Sequence, residues 1–223
     1  MKPIPKPKSN KTPGLRILLA DDHALVRKGL KQVLLDEFGP VEIGEASTAR
    51  EVFALLEKER WDVLLLDITM PGISGLDILK QVRISAPSTG VLVVSMHPEE
   101  QYADRVLRAG AAGYLTKNAA SETIAPAIRK VLAGGNYVSP ELAEILARKI
   151  GQPAAALGHE RLSDREYQVL RLMGAGKSVK ESSSELGLSV KTVSTYRARL
   201  LQKLNLQTSA EVIRYALREG IAD

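Results

Sequence analysis

The stretch Val63-Leu64-Leu65-Leu66-Asp67-Ile68-Thr69-Met70-Pro71-Gly72 decides the fold of this 223-residue chain. An apolar run with no polar residue inside it suits a strand buried on both faces, the kind found in parallel sheets. Pro71-Gly72 then turns the chain out of the strand. Asp67 is therefore expected at the carboxyl end of a central strand, where open α/β sheets hold their ligands. A carboxylate in that place ligates, catalyses or becomes modified.

Outward from this stretch, strand-like and helix-like patterns alternate. The strand patterns fall at 16–20, 41–45, 62–67, 90–95 and 113–116, and the helical ones at 24–36, 47–59, 74–84, 99–109 and 121–133. Five such units predict an α/β fold, a five-stranded doubly wound parallel sheet with helices on both faces, over residues 15–138. Ser139 before Pro140 predicts the cap and first residue of a further helix over 140–150, followed by a flexible segment. Residues 139–158 are thus a linker helix and linker. Residues 159–223 read as a small all-α domain. Ser163…Glu166, Ser178…Glu181 and Thr208…Glu211 each have the capping-box form, and Ser189 can cap a fourth helix.

Charge divides the chain in the same way. Residues 1–14 hold four lysines and no acid among prolines, a composition that predicts a disordered arm. Residues 15–150 hold 16 basic and 18 acidic residues, and 159–223 hold 11 and 8. An acidic body before a basic tail predicts two domains with different partners, the second a polyanion. Cysteine is absent, which excludes disulfides and thiolate metal sites. With no apolar segment suited to a membrane span or an export signal, a cytoplasmic protein without membrane contact is expected.

In a doubly wound sheet the first and third strands are neighbours, so Asp21 and Asp22, after Leu18-Leu19-Ala20, converge on Asp67. Three carboxylates repel one another, and a hard divalent cation relieves that; Mg²⁺ suits an all-oxygen set that also meets phosphate. Ser95 ends the fourth strand and Lys117 follows the fifth. Taken singly, an acid here reads as a helix cap, Lys117 as a solvated charge and Ser95 as a turn residue. Together they make a site for a phosphoryl group, with Lys117 countering charge and Ser95 donating a hydrogen bond.

On these residues the segment 15–138 resembles the receiver domain of two-component response regulators, and Asp21-Asp22-His23-Ala24-Leu25-Val26-Arg27-Lys28-Gly29-Leu30 resembles the NarL/FixJ type. The resemblance implies a flavodoxin-like receiver in which Asp67 takes a phosphoryl group from a sensor histidine kinase, with Asp21, Asp22 and Asp67 holding Mg²⁺. It implies that Lys117 contacts the phosphoryl group, that Ser95 moves to bond it, and that Tyr114 turns inward into the vacated space. It also implies self-catalysed phosphorylation and slow hydrolysis in a chain that is otherwise not an enzyme. Thr69 would sit beside the phosphoryl group, and reads equally as a turn hydroxyl. His23 and His97 would lie at the pocket mouth as loop or cap residues.

The tail resembles the LuxR-type helix-turn-helix domain through Leu162-Ser163, Arg165-Glu166, Gly176-Lys177-Ser178, Leu186-Gly187-Leu188-Ser189 and Lys191-Thr192-Val193-Ser194-Thr195-Tyr196-Arg197. This implies a third helix, about 190–204, in the major groove of double-stranded DNA. At 100° per residue, Val193, Leu200 and Leu204 share an inward face, while Lys191, Ser194, Thr195 and Ala198 share the opposite one. Candidate DNA contacts are Lys180, Lys191, Thr192, Ser194, Thr195, Arg197, Arg199 and Lys203. Lys180, Arg199 and Lys203 suit phosphates, and Arg197 would snorkel along the apolar edge to one. The last helix, with Val212, Ile213, Ala216 and Leu217, can serve both the core and a dimer seam. A homodimer formed on phosphorylation is expected, with the unphosphorylated receiver covering the recognition helix.

One departure from the LuxR pattern is Ser182-Ser183, where Ile-Ala is usual. A buried Ser182 must satisfy its hydroxyl, at a cost on the order of 1–3 kcal/mol. The function expected is a phosphorylation-controlled DNA-binding transcription regulator. The alternative is a receiver-controlled protein-interaction switch with a weakened DNA-binding tail. A haloacid-dehalogenase-type phosphatase would need an acid where Thr69 stands. A small-ligand sensor would need more than the nine aromatics present, so no small-molecule ligand is expected.

Overall fold

The computed structural model describes residues 14–70, 72–150 and 158–222. Residues 1–13 of the predicted arm, Pro71 of the predicted turn and 151–157 of the predicted linker lie outside the described residues.

Strands β1 (Arg16–Ala20), β2 (Glu42–Ala46), β3 (Val63–Leu66), β4 (Gly90–Ser95) and β5 (Gly113–Thr116) alternate with helices α1 (Ala24–Phe38), α2 (Ala49–Lys58), α3 (Gly75–Ser85), α4 (Glu99–Arg108) and α5 (Ala120–Leu132). The sheet is parallel throughout, in the order β2-β1-β3-β4-β5. All four residues of β3 are buried, as the unbroken apolar run requires. Alternate side chains feed two cores. Ile17, Leu19, Val63, Leu65, Leu92 and Val94 pack with Leu30 and Leu34 of α1 and Ile124 and Ile128 of α5. Leu18, Leu64, Leu66, Val91 and Val93 pack on the other side with Val52, Leu79, Tyr102 and Val106. Each such side chain contributes roughly 1.5–3 kcal/mol by leaving water.

Two strands, β2 (expected at 41–45) and β3, differ from the sequence expectation at both ends. β2 begins at Glu42, not 41, because Glu42 pairs with Arg16 in register and through a 2.7 Å ion pair. β3 spans four residues rather than 62–67. Asp62 instead takes the Arg16 amide on its carboxylate, at 2.8 Å. The Asp67 amide still donates to the Ala20 carbonyl at 2.8 Å, but β3 itself ends at Leu66.

Helix α6 (Pro140–Ile150) begins at Ser139, whose hydroxyl accepts the Leu142 amide at 3.0 Å. A 3-10 turn (Gly158–Arg161) then leads to α7 (Asp164–Gly174), α8 (Val179–Glu185), α9 (Val190–Leu204) and α10 (Ser209–Arg218). The three expected capping boxes start α7, α8 and α10, and Ser189 caps α9. Asn205, in the left-handed conformation at φ 54°, closes α9. Gly174 permits the close packing of α7 on α10, since a Cβ there would lie 2.5 Å from that of Ala216.

Nearly every residue of α7 is buried. On one side it packs against α9 and α10, and on the other it meets the α/β unit, so that one hydrophobic core runs from Leu64 and Tyr102 through to Tyr167 and Leu170. Among the described residues no helix is long and apolar enough to cross a membrane.

Candidate functional site

The acid pocket forms where β1 and β3 lie side by side, with Ala20 paired to Leu66. Beyond this pair the two strands release Asp21 and Asp67 at the same level, and both are almost fully buried. Gly75 lets α3 start directly against this loop: a Cβ there would lie 2.4 Å from the Ile68 Cα. The Lys117 amide donates to the Ser95 carbonyl at 2.7 Å, which fixes the loop after β5 beside β4.

Lys117 joins the two acids. Its Nζ lies 2.6 Å from Asp21 Oδ2 and 2.9 Å from Asp67 Oδ2. Burial would push the ammonium down, but the Asp67 and Asp21 carboxylates outweigh it and hold Lys117 above its usual range. The other Asp67 oxygen accepts both the amide and the hydroxyl of Thr69, each at 3.0 Å. Thr69 is thus beside the carboxylate and is also its turn residue.

Asp21 and Asp22 are not side-chain caps of α1. His23 holds the cap position, and its amide donates to Asp21 Oδ1 at 2.8 Å. The His23 Nδ1 lies 2.8 Å from Asp22 Oδ1. Asp21, Asp22, His23 and Asp67 each offer a ligand atom within 4.8 Å of the others. Lys117 contacts only Asp21 and Asp67 of these three carboxylates, leaving an excess of negative charge that a divalent cation with hard oxygen ligands offsets.

Ser95 is fully buried and accepts the His97 amide at 3.2 Å. Tyr114 departs from expectation. It has no inward turn left to make: it is already fully buried, and its hydroxyl donates to the His97 carbonyl at 2.8 Å. Burial pushes the phenol well above its usual range, so it stays a donor. The cause is the polar contact offered by the β4–α4 loop, which satisfies the hydroxyl inside the core.

His97, expected as a loop residue, is a contact to the helical unit. Its ring stacks on Tyr102 at 5.0 Å between centroids, and its Nε2 lies 3.3 Å from Arg171 Nη2. Burial and the Arg171 charge hold this imidazole down to about 4. The remaining contacts between the units surround Asp164. Lys80 Nζ lies 2.8 Å from its Oδ2, and Arg105 Nη1 3.3 Å from its Oδ1. Arg105 also donates to the carbonyls of His159 and Leu162 at 2.6 and 3.1 Å and lies 4.3 Å over the Tyr167 ring. Tyr167 donates to the Gln101 carbonyl at 3.0 Å, and Arg165 to that of Gly72. Sequence reasoning missed this set. Lys80, Arg105, Asp164 and Arg171 are charges on helices, which by sequence alone read as solvated faces.

The recognition face is not covered by the α/β unit. The hydrogen bonds above run to α7 and the turn before it, leaving Lys191, Ser194, Thr195, Ala198 and Arg199 of α9 exposed. Val193 and Leu200 are buried, in agreement with the helical wheel. Lys180 of α8 is exposed as well. Thr192 is half-buried with its hydroxyl on Ser189 at 2.8 Å, and Arg197 donates to Ser209 of α10 at 3.1 Å rather than snorkelling outward. Lys203 is not a free cation for phosphate. Its Nζ lies 2.7 Å from Glu166, a buried capping-box carboxylate that requires a countercharge. Ser182 is fully buried and its hydroxyl has no hydrogen-bond partner among the described residues, whereas Ser183 donates to the Lys180 carbonyl at 2.7 Å. In α10, Val212 and Ala216 are buried while Leu217 is half exposed.

Residues 17–129 match the family model of the response regulator receiver domain, and 160–216 that of bacterial regulatory proteins of the luxR family. Response regulator GacA of Pseudomonas aeruginosa is 38% identical over 210 residues, covering 94% of this chain and 98% of that protein. Response regulator UvrY of Escherichia coli is 35% identical over 210 residues, covering 94% and 96%. Among solved structures, RcsB from Salmonella enterica serovar Typhimurium bound to promoter P1flhDC in the presence of phosphomimetic BeF3- aligns with a TM-score of 0.62. It is 28% identical and covers 91% of this chain and 98% of its own. An RcsB–DNA complex aligns at 0.56 with 25% identity, covering 91% and 98%.

Proposed function

The chain belongs to the two-component response regulators of the NarL/FixJ type, a receiver domain joined to a LuxR-type DNA-binding domain, and on that premise we propose how its pocket works. Its function is phosphorylation-controlled, DNA-binding regulation of transcription. Asp67 is the phosphoacceptor. The observation that carries this assignment is the single ammonium of Lys117 held between Asp21 and Asp67, at the end of the central strand.

The donor is a phosphohistidine on a sensor kinase. An Asp67 carboxylate oxygen attacks the phosphorus, the P–N bond breaks, and the imidazole leaves with that electron pair. Lys117 balances the charge of the aspartyl phosphate, about −1.5 to −2 where the free carboxylate carried −1, by analogy with other phosphorylated side chains. Thr69 orients the acceptor through its two bonds to Oδ1. Asp21, Asp22 and Asp67 would hold Mg²⁺, which supplies positive charge to the phosphoryl oxygens. Ser95, buried beside the pocket, donates its hydroxyl to the phosphoryl group. In doing so it draws on the His97 amide that it now accepts. Hydrolysis of the aspartyl phosphate, catalysed by the same pocket, resets the protein; beyond this the chain is not an enzyme.

At the other end α9 enters the major groove. Lys191, Ser194 and Thr195 face base edges, and Lys180 and Arg199 face phosphates. DNA binding by the RcsB relatives, one of them described as two dimers on two parallel DNAs, supports a DNA-bound homodimer here. The exposed Leu217 of α10 suits its seam. The orphaned Ser182 hydroxyl favours one second reading, a receiver whose tail binds DNA weakly and acts through protein contacts. Intact mass and DNA binding, measured before and after acetyl phosphate with Mg²⁺, test both. The wild type gains one phosphoryl group and binds operator DNA more tightly, and Asp67→Ala does neither. Phosphoryl uptake without any gain in DNA binding would favour the second reading, and no uptake would defeat both.

A further inference from the structure

A cavity of about 40 Å³ lies between the two domains, walled by Thr69, His97 and Tyr102 on the receiver side and Gln168, Arg171 and Leu172 of α7 on the other. A water needs about 10–15 Å³ of such space and at least two polar partners, so the cavity has room for roughly two or three. Its walls supply the partners. The Arg171 Nε and the Tyr102 hydroxyl are buried and have no hydrogen-bond partner among the described residues. On the receiver side Thr69 also bonds Asp67, so one residue separates this space from the phosphoacceptor.

His97 forms the rest of that wall and is held from several directions. Its amide donates to Ser95, its carbonyl accepts from Tyr114, and its ring stacks on Tyr102. The last restraint comes from the DNA-binding domain, at Arg171 Nη2. A guanidinium only donates, so Nε2 of a neutral His97 accepts and its proton sits on Nδ1. The low proton affinity of this imidazole agrees with that state.

We propose that Arg171 is a positioning residue for hydrolysis of the aspartyl phosphate: by holding His97 in the cavity wall beside Thr69 it limits the water that reaches the phosphorus. This rests on Asp67 being the phosphoacceptor. In the hydrolytic step a water oxygen bonds to phosphorus, and the bond from phosphorus to the Asp67 oxygen breaks with its electron pair left on the carboxylate. One water proton stays on the new oxygen and the other moves to a phosphoryl oxygen, giving inorganic phosphate. The DNA-binding domain thereby sets the lifetime of the signal that controls it. Whatever draws α7 away from His97 removes the same restraint and shortens that lifetime.

The test uses the full chain loaded from radiolabelled acetyl phosphate with Mg²⁺, freed of donor and followed for loss of label. Arg171→Ala should lose label on the order of fivefold faster, the scale of one hydrogen bond of about 1 kcal/mol. Arg171→Lys, which keeps a donor and a charge, should recover most of the wild-type lifetime. The His97 imidazole resonances should shift in the alanine variant and return in the lysine variant. Equal lifetimes in wild type and Arg171→Ala would overturn the proposal while leaving Asp67 as acceptor. A faster loss that lysine does not rescue would assign Arg171 to packing alone and overturn it too. Failure of the wild type to take up label would instead remove the reading beneath it.

Discussion

The Tyr114 hydroxyl donates to the backbone carbonyl of His97 at 2.8 Å, tying the strand beside the phosphorylation pocket to the loop that meets the DNA-binding domain. This bond already holds inward the aromatic that the family resemblance expected to turn inward on phosphorylation. Tyr114→Phe keeps the ring and orphans the carbonyl. It should lower receiver stability by about 1 kcal/mol in urea unfolding and loosen the His97 loop in hydrogen exchange. An unchanged loop would mean that the bond restrains nothing.

The docked state should weaken in acid. His97 is held at about 4 against an ordinary 6.5, by burial first and by Arg171 second, with Asp67 opposing and Lys117 assisting. A released or unfolded His97 binds its proton more readily, so its contribution is complete above pH 6.5 and falls as pH drops towards 4. Hydrogen exchange in α7 should accelerate across that window. In His97→Asn the acceleration should flatten, and an equally steep profile would place the pH dependence on another group.

Ser182→Ala should stabilise the DNA-binding domain by about 1–3 kcal/mol, because it removes a fully buried hydroxyl with no partner among the described residues. Ser183→Ala deletes a made bond and should be neutral or slightly destabilising. Urea midpoints of the two variants that move together would contradict this contrast.

The basic residues of the tail divide by what they already hold. Lys191→Ala should change base preference, and Arg199→Ala should weaken binding to all sequences and lower the salt slope by about one. Lys203→Ala should instead act on stability, since it strips the countercharge from buried Glu166. Salt-dependent binding and thermal unfolding of the three variants separate these outcomes.

Asp164→Asn should loosen the domain interface without uncovering α9, whose outer face is already open. Exchange in α7 should rise while half-site DNA affinity stays within about twofold, below the roughly 1 kcal/mol of a lost hydrogen bond. A large gain in affinity would restore the idea of a covered recognition helix.

Much of the architecture was legible in the residues themselves. The run 63–66, the alternation around it, the Ser139 and Ser189 caps and the three capping boxes act over a few positions, where bonding and burial follow from local order. The acid pocket was legible too, because parallel strands bring their carboxyl ends to one edge and thereby collect Asp21, Asp67, Ser95 and Lys117. What tertiary structure alone decided lies between residues far apart in the chain. Arg171 meets His97 across 74 positions, Lys80 meets Asp164 across 84, and Lys203 meets Glu166 across 37. A charge on a helix carries no local mark of its partner. Only the docking of α7 against the receiver, driven by a shared apolar core, determines which charges leave water and must therefore pair.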